Sequence, residues 1–119
     1  MIQIDSCSKE TFEMLNKLNT VEFMIMGDFD FENLYTININ QQVGGILKLA
    51  IYQEDLLIDW LEMFSSYQMK GYACRVVDML KKEYDTIYAC PKDITIEDFW
   101  IKNGFYHFDQ TSPMMRWQR

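Results

Sequence analysis

Apolar residues recur at helical spacing in three places along the chain, and between those places they alternate with polar ones or gather in short runs. Ser8 precedes Phe12, Leu15 and Leu18, which share one helical face, so the spacing predicts a helix over 8–19 that Ser8 can cap. Val21-Glu22-Phe23-Met24-Ile25-Met26 suits a strand or a helix equally, and Gly27-Asp28 breaks it. Three apolar or alternating runs follow at 34–40, 43–52 and 56–64, joined by Gln41-Gln42 and Gln53-Glu54-Asp55. Connectors this short demand antiparallel neighbours, so these runs predict a three-stranded meander. In the third run alternation sends Leu57, Asp59, Leu61 and Met63 to one face and Ile58, Trp60, Glu62 and Phe64 to the other.

After Ser65-Ser66 the period lengthens to about 3.6 residues. Tyr72, Val76, Met79 and Leu80 then form a stripe, predicting a helix that Gly71 opens and that ends near Glu83 or Tyr84. The run 86–90, stopped by Pro91, reads as a strand, and the helix before it makes the connection a parallel crossover. Asp93 or Thr95 can cap a last helix in which Ile96, Phe99 and Trp100 share a face, and Gly104 supplies the left-handed residue that stops it. Strands over 105–109 and 114–118 flank the turn Gln110-Thr111-Ser112-Pro113. The expected fold class is therefore α/β of the α+β kind, a mixed but mainly antiparallel sheet flanked by helices. At 119 residues the chain supports one core, so a single domain over 1–119 is expected.

Composition narrows the function classes. With 49% hydrophobic residues, five Gly and two Pro, the chain has the make-up of a folded protein. No apolar run approaches the roughly 20 residues of a membrane span, and Met1-Ile2-Gln3-Ile4-Asp5 lacks the regions of a signal peptide, so a cytoplasmic location with no membrane partner is expected. Cys7, Cys74 and Cys90 fit no metal-ligand spacing and His107 stands alone, so reduced thiols and no metal are expected. The net charge of −7 opposes nucleic-acid binding and suits a cationic partner. It is unevenly spread, with Lys70, Arg75, Lys81 and Lys82 close together and Asp28, Asp30 and Glu32 in another stretch.

The chemistry-bearing feature is the strand, polar loop and helix start Met63-Phe64-Ser65-Ser66-Tyr67-Gln68-Met69-Lys70-Gly71-Tyr72-Ala73. The first N–H groups of a helix lack intrahelical acceptors and the macrodipole makes that end positive, so main chain alone can hold a pyrophosphate. Gly71 permits close approach and Ala73 adds little bulk. A glycine at a helix start is more often a turn device, so the order of the surrounding elements carries the weight.

Gln68-x-x-Gly71-x-Ala73 resembles the Q/R-x-x-G-x-G/A motif of the GCN5-related N-acetyltransferases, and Ile58–Met63 is similar to the strand that precedes it there. Downstream, Phe99-Trp100-Ile101-Lys102-Asn103-Gly104-Phe105 resembles the family's F-Y-x-x-x-G-F segment. The ending from Ile87-Tyr88-Ala89-Cys90-Pro91 to Met115-Arg116-Trp117 also looks like that of very small acetyltransferases of phages and mobile elements, some of which modify host proteins. The resemblance spans about residues 34–119 and implies an acetyl-coenzyme A site. Backbone near Met63, Phe64 and Ser65 would pair with the pantetheine arm, and the amides from Met69 through Lys70, Gly71 and Tyr72 to Ala73 would receive the pyrophosphate. Asp93 falls where the family often has Asn. Trp100 stands where many members place a Tyr that protonates the leaving thiolate, and an indole N–H is no acid near neutral pH.

The implied activity is acetyl transfer to a primary amine, a protein lysine or a small polyamine-like molecule. Its alternative is a weak or silent member that binds acyl-coenzyme A or a protein partner. Asp59, on the central strand, is the first candidate base and Glu62 the second.

Overall fold

The computed structural model describes residues 1–18, 33–91 and 94–119. Asn19, the ambiguous stretch 21–32 with its acidic Asp28, Asp30 and Glu32, and Asp93 lie outside the described residues. Ser8 caps the first helix as expected: its Oγ accepts the Thr11 N–H at 3.1 Å, and α1 runs Lys9–Leu18. Phe12 and Leu15 on that helix are buried together with Cys7, Leu34 and Ile46, and Trp60 and Phe64 pack against this cluster. Burial pushes the Cys7 thiol above its usual pKa, which leaves it an apolar core atom rather than a nucleophile.

The meander is present as β2 (Leu34–Ile39), β3 (Gln42–Tyr52) and β4 (Asp55–Met63). Its turns are tighter than the sequence suggested. Asn40 and Gln41 have φ of 50° and 71°, and Gln53 and Glu54 have 51° and 70°, the left-handed pairs that a two-residue hairpin needs. Gln42 and Asp55 consequently belong to strands. An additional strand, β1 (Ile2–Ser6), pairs antiparallel with β2 from Ile2↔Ile39 to Ser6↔Tyr35. Its two isoleucines give too short an alternation to announce a strand, and its partner lies some thirty residues away.

The 3.6-residue stripe becomes α2 (Tyr72–Glu83), burying Val76, Val77 and Leu80, and leads to β5 (Thr86–Ala89). β5 runs parallel to β4 in the register Leu56↔Ile87 to Ile58↔Ala89, as the crossover length required. Then come α3 (Ile94–Lys102), β6 (Tyr106–His107) and β7 (Met115–Gln118). The strands form a seven-stranded mixed sheet in the order β1-β2-β3-β4-β5-β7-β6, the α+β class expected. β6 is two residues long rather than spanning 105–109, and β7 lies between β5 and β6.

The last helix corrects two expectations. Thr95 lies within α3, one residue past its start, so it is not the cap. Ile96 is 41% exposed whereas Trp100 is 5%, so the two do not share a buried face. Termination follows the sequence. The Phe105 N–H donates to Trp100 O at 3.0 Å and the Gly104 N–H to Ile101 O at 3.0 Å, while Gly104 takes φ +89°. This is a Schellman ending, completed by ring contact of Phe105 with Trp100 at 4.9 Å.

By Cα proximity the chain comprises two compact units, Met1–Leu49 with Trp60–Ala73, and Ala50–Asp59 with Cys74–Arg119. The first holds the α1 cluster. The second buries Leu56, Ile58, Val76, Ile87, Trp100 and Met115, among others. No helix of the described residues is long and apolar enough to cross a membrane.

Candidate functional site

Within the first unit, the loop between β4 and α2 is shaped by what β3 lacks. A Cβ on Gly45 would stand 2.5 Å from Glu62 O and 2.9 Å from Met63 Sδ, so only glycine lets β3 lie this close to the end of β4. A Cβ on Gly44 would meet the Tyr67 ring at 3.1 Å. The Phe64 N–H donates to Gly44 O at 2.8 Å, and the Tyr67 hydroxyl donates to Gln42 Oε1 at 2.9 Å. Gly45→Ala should therefore cost about 1–3 kcal/mol, because the atoms it meets include backbone that a rotamer change cannot move. Urea denaturation measures this, and an unchanged midpoint would mean that the strands do not approach so closely.

Ser65–Tyr67 then form a single 3-10 turn, and Gln68 closes the loop by donating its Nε2–H to Met63 O at 2.9 Å. The side-chain amide of Gln68, expected as part of the binding motif, thus braces the loop. Met69 has φ +60° and is fully exposed, and Lys70 is exposed beside it. Gly71 has φ +82°, and among the described residues no atom beyond its own chain neighbours lies within 4 Å of where its Cβ would be. The first turn of α2, from Tyr72 and Ala73, contains no acidic residue. Its positive end is therefore open beside Gly71 with no carboxylate of its own to neutralise it.

Met63, Phe64, Ser65, Gln68, Met69, Lys70, Gly71, Tyr72 and Ala73 are thus brought together in the loop and helix start of the first unit. Glu62 is there too, its Oε1 accepting the Trp60 indole N–H at 3.0 Å. Asp59 belongs to the second unit, exposed on β4. Trp100, also in the second unit, packs edge-on against Phe99 at 5.0 Å and Phe105 at 4.9 Å. Sequence reasoning missed the supporting pair Gly44-Gly45, although two adjacent glycines inside a strand signal close backbone approach. Cys7, Cys74 and Cys90 are free thiols, and among the described residues no group of three or more His, Cys, Asp or Glu side chains could hold a metal ion.

No protein-family model matches the chain, and no curated protein matches its sequence. Solved structures do match. The Bacillus subtilis N-acetyltransferase YlbP, in complex with coenzyme A, has a TM-score of 0.70 at 17% identity, covering 100% of this chain and 97% of its own. An acetyltransferase of the GNAT family from Staphylococcus aureus Mu50 has 0.68 at 15% identity, covering 99% of both chains. A KacTA–DNA complex has 0.63 at 13% identity, covering 99% of this chain and 93% of that one. Identities this low establish shape rather than activity, and what they establish is that this chain has the fold of the GCN5-related N-acetyltransferases.

Proposed function

We propose that residues 1–119 act as one N-acetyltransferase domain that binds acetyl-coenzyme A and passes its acetyl group to a primary amine, a protein lysine or a small cationic amine. The observation that carries this reading is the open, acid-free N-terminal turn of α2 beside Gly71, with empty space where a side chain would stand. The chemistry of those donors fits a pyrophosphate. Amides from Met69 to Ala73 would hold it, with Lys70 adding charge. The Phe64 N–H is already given to Gly44 O, so pairing with the pantetheine arm falls to the remaining backbone groups of Met63, Phe64 and Ser65. Asp93 is carried in this proposal by the resemblance alone.

Bound acetyl-coenzyme A would supply the acetyl thioester. An acceptor amine, with a pKa near 10.4 for a lysine, must lose its proton before its nitrogen can attack. Asp59 is the proposed base, exposed on β4. Glu62 ranks second because one of its oxygens already accepts the Trp60 indole. No acidic hydroxyl occupies the position of Trp100, so the thiolate, with a pKa of about 8.5, leaves without help from that residue. This favours slow turnover, and it is also the observation behind a second reading, a silent member that binds acyl-coenzyme A. Calorimetric titration with acetyl-coenzyme A beside a thiol-release assay on a panel of amines separates the two.

A coenzyme role for Trp100 is carried by the resemblance alone, and its contacts within the second unit are with Phe99 and Phe105. Trp100→Tyr should lower stability by about 1–3 kcal/mol, because the smaller ring fills less of the space against Phe99 and Phe105, and leave turnover per folded enzyme unchanged. Melting temperature and steady-state thiol release measure the pair. A rise in turnover would instead put the new hydroxyl within reach of the leaving sulfur.

A further inference from the structure

One face of the second unit carries an arginine that no carboxylate among the described residues matches. The registers Leu57↔Tyr88, Tyr88↔Arg116 and Tyr106↔Arg116 place these side chains in one row across β4, β5, β7 and β6. Asp59, two residues beyond Leu57, shares that face. Arg116 is half-buried, and its Nε–H donates to the Tyr106 hydroxyl at 3.1 Å. Its guanidinium carbon lies 4.9 Å from the Phe108 ring centre and 5.5 Å from that of Tyr106. Tyr88 lies edge-on to Tyr52 at 4.9 Å and to Phe108 at 5.6 Å, so the arginine stands on an aromatic floor. Hydrogen bonds to the hydroxyls of Tyr106 and Tyr88 raise its pKa further, so it stays charged. Among the described residues no carboxylate lies within ion-pair distance of it.

Lys81 of α2 sits 5.0 Å from the ring of Trp117, whose row with Ile87 alternates to the opposite face from Tyr88↔Arg116. Within the second unit, α2 therefore covers the other side of these strands. Strands about 4.8 Å apart with a rise of about 3.3 Å per residue put Asp59 and Arg116 roughly 12 Å apart at Cα. A proton acceptor and a guanidinium at that separation suit a molecule with an amine at one end and a carboxylate at the other.

We propose that Arg116 binds a carboxylate on the acceptor, making the substrate class an amine that also bears a carboxylate several bonds away. This rests on the acetyl-transfer reading. The planar fork of a guanidinium matches a carboxylate in two parallel hydrogen bonds, whereas a purely cationic amine would be repelled. The carboxylate belongs either to a small ω-amino acid or to an acidic residue beside an acceptor lysine.

The test compares 6-aminohexanoate with 1-aminohexane in the thiol-release assay, and a lysine peptide flanked by glutamates with one flanked by lysines. The side-chain Nε–H signal of Arg116 is followed by NMR as each is added. A kcat/KM about 10–100-fold higher for the carboxylate-bearing member of either pair is expected, the pair that responds identifying the source. Arg116→Gln should abolish that preference and Arg116→Lys retain part of it; the ratio in the parent protein suffices if the variants do not fold. A shift of the Arg116 signal on adding 6-aminohexanoate or the glutamate-flanked peptide, without thiol release from any amine, would uphold the carboxylate site while defeating acetyl transfer. Equal or faster reaction of 1-aminohexane and the lysine-flanked peptide, or no signal shift with either carboxylate probe, would overturn the inference.

Discussion

Asp59→Asn should slow acetyl transfer by about 10²–10⁴-fold while coenzyme affinity stays within a few-fold. The substitution keeps the side chain's shape, and at an exposed strand position it should change stability little. What it removes is the ability to accept a proton from the acceptor ammonium. A general base acts in the transition state, so the loss should fall on kcat and kcat/KM together rather than on KM alone. Single-turnover thiol release and calorimetric titration of both proteins give the two quantities. Turnover equal to the parent's would return Asp59 to a structural role. Glu62→Gln would then be the next variant, since its amide oxygen can still accept the Trp60 indole.

The acceptor chemistry proposed for Arg116 was invisible in the sequence for a physical reason. Arg116, Tyr88, Leu57 and Tyr106 are scattered over about sixty positions, and only strand register makes them neighbours. Register depends on pairings between distant segments, including the placement of β7 between β5 and β6. β1 went unread for the same reason, since its hydrogen-bonding partner is remote. The turns Asn40-Gln41 and Gln53-Glu54 contain no glycine to advertise their left-handed backbone, so the sequence placed the first connector one residue late and made the second one residue too long.

What could be read was local or fixed by chain length. The 3.6-residue period marked α2, and a helix-long separation made β4 and β5 parallel. The motif around Gly71 is contiguous, so its spacing survives without tertiary information. Even there, the sequence did not disclose that the Gln68 side chain braces Met63 O, or that Gly45 sets how near β3 comes to Met63. The motif that contains Trp100 likewise did not disclose its edge-on packing against Phe99 and Phe105.

The central claim is that the helix start at Gly71 holds acetyl-coenzyme A, and thermal unfolding with and without that ligand tests it most directly. At ~100 times its dissociation constant a ligand adds about 2.7 kcal/mol to the folded state, which for a chain of this length raises the melting temperature by roughly 10 °C. Gly71 has φ +82°, so any side chain there lowers the baseline by about 1–2 kcal/mol, and the ligand-induced shift rather than the absolute temperature is the readout. Gly71→Ala places a methyl in empty space and should keep most of the shift, whereas Gly71→Glu sets a carboxylate against the pyrophosphate and should remove it. A parent protein whose melting temperature stays flat across a wide range of acetyl-coenzyme A, or a Gly71→Glu variant with the parent's full shift, would contradict the account.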